Sequence, residues 1–231
     1  VIMDSANWAV GRPAFTASLR GLADVVVEVR TLDHALHSGQ YGGVVPDALT
    51  TLVRLLATLH DEDGDVAVAG LGRDAVADLD YPRERLRAES GVLEGVGETG
   101  TGPVVERLWG RPAITVLAID ATPVAKASNT LAPVARAKVS LRLPPSQDAA
   151  AALVALKAHL VGHAPFGARV TFADSSAAGG SVVRHDGPLA SAYGRAIERA
   201  WGPCSGPCSG SGCWCPRPPG SCCSRPRPIW G

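Results

Sequence analysis

The chain has 231 residues, 22 Lys and Arg against 22 Asp and Glu, 46% hydrophobic and 5% aromatic residues. This suits one globular domain, or one and a part, and no run of about 18 apolar residues exists to cross a bilayer. Balanced charge argues against a partner bound by phosphate neutralisation, so neither nucleic acid nor membrane is expected.

Val1-Ile2-Met3-Asp4 reads as a strand entering a loop, with no charged leader and apolar signal run, so a fragment of a cytoplasmic protein is expected. Residues 22–30, with Val25, Val27 and Val29 on one face, form a strand with one buried side. A loop rich in His and Gly follows. Pro46-Asp47 then opens a helix carrying Leu49, Leu52, Val53, Leu56 and Leu59, closed by Asp61-Glu62-Asp63-Gly64.

An insert at about residues 67–112 follows, its centre at 89–102 reading as loop and short helix. Residues 113–119 and 135–143 alternate as strands; Ser146 can cap a helix over 147–161, and residues 168–172 form a last strand. Residues 175–180 read as a small-residue linker, and Pro188–Trp201 as a helix of a second domain. The order β-α-β-β-α-β is that of an α+β, ferredoxin-like two-layer sandwich with both helices on one face of an antiparallel sheet.

Chemistry concentrates in a few places. His37, in His37-Ser38-Gly39 near Tyr41-Gly42-Gly43, lies where backbone can approach a ligand and an imidazole can donate to developing negative charge. Arg142 ends a strand with a fork suited to a carboxylate. Asn129-Thr130 precedes Pro133, and Asp4 follows an apolar stretch, a place where metal-binding carboxylates are found. His34, His159 and His163 read as surface residues, and Asp61–Asp65 as a helix-ending turn without calcium-loop spacing.

Together, Asp4-Ser5-Ala6-Asn7-Trp8, Arg12-Pro13-Ala14-Phe15-Thr16, Leu19-Arg20-Gly21, Leu36-His37-Ser38-Gly39, Tyr41-Gly42-Gly43, Leu108-Trp109 and Lys138–Pro144 resemble the M20 family of dinuclear zinc metallopeptidases, the group containing carnosine dipeptidases. The resemblance covers residues 1–202. It implies a catalytic domain holding two zinc ions, with a lid or dimerisation domain inserted into it. Residues 14–181 then form the lid, 1–13 a remnant of the catalytic domain, and 182–202 its return helix. Asp4 matches a zinc ligand; His37 matches a lid histidine that enters the partner subunit's active site and stabilises the oxyanion. Arg142 matches the clamp on the substrate carboxylate, and Thr130, with Asn129, a polar position near the substrate's C-terminal end. The expected activity is hydrolysis of short peptides with a free C-terminal carboxylate, by a homodimer joined through the lid. N-acyl-amino-acid deacylation and a purely dimerising module are the alternatives. The family's His-x-Asp motif, bridging aspartate and Glu-Glu pair fall upstream of Asp4, and no histidine follows His185, so the piece itself is expected to be inactive.

Residues 203–231 differ in kind. They hold all six cysteines, seven of the 18 prolines, three arginines and no acid, so the tail is +3 and the remainder −3. No two C-x-x-C pairs occur, which weakens a zinc reading. Gly, Pro, Arg, Ser, Cys and Trp have GC-rich codons, and the tail is expected to be disordered and the product of a shifted reading frame.

Overall fold

A computed structural model describes residues 16, 18–76, 79–183 and 187–201. Asp4, the stretch 1–13 and the cysteine-rich tail 203–231 lie outside these described residues.

The principal sheet contains β2 (Gly21–Arg30), β4 (Ala113–Asp120), β6 (Val134–Leu143) and β7 (Arg169–Ala178), in the order β4-β6-β2-β7 with antiparallel pairing throughout. Two shorter ladders accompany it. β1 (Ser18–Leu19) pairs with β8 (Ser181–Val182), and β3 (Leu36–His37) pairs with β5 (Thr130–Leu131). Helices α2 (Ala48–Ala57) and α4 (Ala149–Gly162) cover one face of the principal sheet, completing the expected ferredoxin-like α+β sandwich.

Alternation explains the two layers. Val25, Val27 and Val29 of β2 and Ala137, Val139, Leu141 and Leu143 of β6 point at the helices, where they meet Leu52, Leu55, Leu59, Leu156 and Leu160. Each such valine or leucine side chain stabilises the fold by about 1.5–3 kcal/mol relative to exposure. The opposite face is polar: Glu28 of β2 bonds Arg136 of β6 at 2.6 Å and Arg30 at 3.1 Å. Those arginines, chiefly Arg136, hold the Glu28 carboxyl below its ordinary pKa.

The helix starts follow from capping. Asp47 Oδ1 accepts the Thr50 N–H at 2.9 Å, as Pro46-Asp47 predicts. At α4 the cap is Asp148, accepting from Ala150 and Ala151 N–H at 2.8 and 3.2 Å. The expected cap, Ser146, instead turns its hydroxyl and N–H to Asp74 of the insert.

Three further segments differ from expectation. The stretch 175–180 is not a linker: β7 runs through to Ala178 past a bulge at which Asp174 takes φ +43°, because β2 offers pairing positions as far as Leu22. The His/Gly-rich loop contains β3 and a helical turn, α1 (Ser38–Tyr41). His159 is part-buried rather than a surface group, its Nε2 lying 3.1 Å from Thr58 Oγ1 and 3.0 Å from the Thr58 carbonyl, with its ring stacked on His163. Burial, together with the neighbouring His163, pushes the His159 pKa down.

In the insert, α3 (Arg83–Ser90) precedes a loop and an irregular wide turn at Glu106–Gly110. Leu79 and Val105 are buried there against Val76, Tyr81 and Trp109, while Arg107–Glu98 and Arg111–Glu106 pair at 2.6 and 2.7 Å. After β8, the amphipathic helix α5 (Pro188–Trp201) leaves Leu189 largely exposed. No helix among the described residues is long and apolar enough to cross a membrane.

Candidate functional site

His37 ends β3 and caps α1. Its Nδ1 accepts the Gly39 N–H at 3.1 Å, which in the neutral ring leaves the proton on Nε2, facing outward as a donor. The surrounding glycines have steric reasons. A Cβ on Gly39 would lie 3.0 Å from His37 Cε1, and one on Gly42 only 2.4 Å from the Ser38 carbonyl oxygen. Gly43 has φ +89°, a left-handed conformation that side chains disfavour. The motif is therefore a device for holding one imidazole.

Thr130 sits directly across from His37 in the β3–β5 ladder. Its N–H bonds the Ser128 carbonyl at 2.7 Å and its Oγ1 lies 2.8 Å from Ser128 Oγ. The Asn129 carbonyl accepts the Ser38 N–H at 2.9 Å. His37, Asn129 and Thr130 thus form one exposed cluster. Ser128, which orients the Thr130 hydroxyl, carries no motif that would have singled it out.

Arg142 lies elsewhere. The β3–β5 cluster adjoins the end of β6 where Val134 pairs with Arg30, while Arg142 is at the other end, opposite Leu22 and Ala113. Arg142 is eight residue steps along the strand from Val134, about 27 Å at the usual rise. One protomer does not bring His37 and Arg142 to one point.

The two arginines of β6 also differ in their company. Arg136 is neutralised by Glu28, whereas the exposed Arg142 guanidinium meets no acid and no hydrogen-bond acceptor among the described residues. Its charged neighbour is Arg20, part-buried, whose pKa is lowered by burial and then by Arg142. Arg142 is thus an unneutralised fork, open to an anion.

Residues 17–168 match the M20 peptidase dimerisation domain. The chain belongs to this family. Among relatives, it is 35% identical over 204 residues to a cysteinylglycine-S-conjugate dipeptidase of Corynebacterium striatum, covering 87% of this chain and 45% of that protein. It is 26% identical over 161 residues to a Cys-Gly metallodipeptidase of Schizosaccharomyces pombe, covering 64% and 33%. The fold matches that of human carnosine dipeptidase 1 with a TM-score of 0.66, at 23% identity and over 86% and 45% of the two chains. The chain spans less than half the length of each.

The resemblance implies a metal pair held by the catalytic domain into which such a lid is inserted. Among the described residues no three His, Cys, Asp or Glu side chains are grouped to hold a metal ion, so these residues do not fit that pair.

Proposed function

We propose that this chain is the lid-bearing part of a cytoplasmic M20 dipeptidase that hydrolyses short peptides with a free C-terminal carboxylate and works as a homodimer. Residues 14–181 are the lid, inserted into a catalytic domain to which 1–13 and 182–202 belong. The β1–β8 ladder supports this, because it brings entry and exit of the lid side by side. The two zinc ions would be held outside the described residues, with Asp4 as one ligand.

The carrying observation is the separation of the two halves of the site. His37, with Thr130 and Asn129, serves the oxyanion and the C-terminal end of a substrate bound by the other subunit. Arg142 holds the substrate carboxylate in its own subunit. The dimer joins at the outer edge of β4, which pairs with β6 on its other side and leaves Val116, Leu117 and Ile119 exposed. Dipeptidase names among the relatives support peptide hydrolysis over deacylation.

The test uses residues 18–183 substituted for the matching stretch of the Corynebacterium relative. Cysteinylglycine should be cleaved and its C-terminal amide should not, with Arg142→Ala raising KM for the free acid by about 10- to 100-fold, as for loss of charge-assisted hydrogen bonds. Equal cleavage of acid and amide would overturn the reading.

A further inference from the structure

We propose that Arg20 is a positioning residue for the anion site at Arg142, fixing the end of β6 to the insert while adding positive field without competing for the anion. This rests on reading Arg142 as the carboxylate clamp.

The geometry is specific. Arg20 lies between β1 and central strand β2, and its guanidinium gathers three carbonyls from distant segments. Nη1 donates to Leu108 at 2.8 Å, in the wide turn of the insert; Nη2 donates to Arg111 at 2.6 Å, just before β4, and more weakly to Arg142 at 3.4 Å. The backbone of Arg142 is thereby tied to the start of β4 and to the insert. Arg111 continues the chain of contacts, donating to the Thr101 carbonyl at 2.8 Å and to Glu106 at 2.7 Å.

The electrostatics point the same way. The hydrogen-bond acceptors of Arg20 are all main-chain carbonyls and its buried Nε has none among the described residues, so its charge is only partly solvated and is not cancelled. Burying a cation beside a second cation is unfavourable by itself. An anion on Arg142 relieves that repulsion, and since both terminal nitrogens of Arg20 are engaged, Arg142 alone faces the incoming group. A planar fork is needed: a lysine ammonium keeps the charge but cannot span the same three carbonyls.

The experiment uses the 231-residue chain labelled with nitrogen-15, and follows the arginine Nε–Hε resonances. N-acetylglycine is the probe and N-acetylglycinamide the neutral control. In the parent chain the Arg142 resonance, assigned by its loss in Arg142→Lys, should shift saturably with the acid and not with the amide. Arg20→Met should weaken this binding by about tenfold or more, and Arg20→Lys by a smaller factor, since it restores the field without the fork. Because resonances of folded molecules are read, a purely structural loss would lower the melting temperature and leave the affinity unchanged. Parent-like affinity in Arg20→Met overturns the proposal; should that variant not fold, parent-like affinity in Arg20→Lys does so. Should Arg142 fail to respond to the acid in the parent chain, the carboxylate reading falls and this inference with it.

Discussion

His37 and Thr130 are direct partners across the β3–β5 ladder, and Arg142 lies at the far end of β6 from both. On the function proposed above, a two-fold dimer lets one subunit's His37 serve the site that holds the other's Arg142. In the Corynebacterium chimera, assayed with substrate well below the parental KM, His37→Ala and Arg142→Ala should each lose most of their activity alone, by about 10- to 100-fold for Arg142→Ala. Mixed and re-equilibrated, half the dimers are heterodimers, each with one intact and one doubly broken site, so about a quarter of parental activity should return. No recovery on mixing, with exchange verified by mass, would place both residues in one subunit's site.

A site divided in this way makes activity depend on association. Leu117 is 55% exposed on the unpaired β4 edge, where a charge opposes strand-to-strand pairing. Leu117→Lys should convert the chimera to monomer in sedimentation velocity and remove activity in parallel, without lowering its melting temperature by more than a few degrees. A fully active monomer would contradict the shared site.

The glycine beside the imidazole gives a more local prediction. In Gly39→Ala the new methyl meets His37 Cε1 at 3.0 Å and Nδ1 at 3.2 Å, so the ring must turn and the Gly39 N–H loses its acceptor. Turnover should fall by about 10²-fold, in the range for a misplaced oxyanion donor, with KM little changed. Steady-state kinetics of the chimera decide this; a rise in KM alone would assign His37 to ground-state binding.

The parts of this domain that were legible in the sequence are those with a strong period. Val25, Val27 and Val29 alternate, and Leu49, Leu52 and Leu56 recur at helical spacing; both segments fold accordingly, although the helix ends at Ala57, before Leu59. β7 was legible only to Phe172, because beyond it the Ser and Ala side chains carry no strand signal; their pairing is dictated by the length of β2. Ser146 and Asp148 are equally good caps on paper, and only the arrival of Asp74 from the insert distinguishes them. His37 and Arg142 could be picked out by motif. Their separation could not, since it depends on strand register, and Leu19-Arg20-Gly21, though part of the resemblance, gives no sign of the three carbonyls that meet the Arg20 guanidinium.

The part-buried His159 makes stability depend on pH. His159 rests on Thr58 at the crossing of α4 with the end of α2, and its folded pKa is depressed, first by burial and then by His163. A histidine with a depressed folded pKa binds more protons unfolded than folded. Its contribution is present in full above the unfolded value, near 6.5, and is lost as pH falls through that value towards the folded one. Thermal melts of the chain from pH 8 to pH 5 should therefore show a falling melting temperature below about pH 6.5. His159→Gln, which keeps a polar partner for Thr58 but does not titrate there, should flatten that slope while costing about 1 kcal/mol at pH 8, in the range for an altered hydrogen bond. The carboxylate of Glu28, held by Arg136 and Arg30, titrates only at more acid pH and adds its own loss of stability there, so the two effects separate along the pH axis. An unchanged slope in His159→Gln would assign the neutral-to-acid transition to another group.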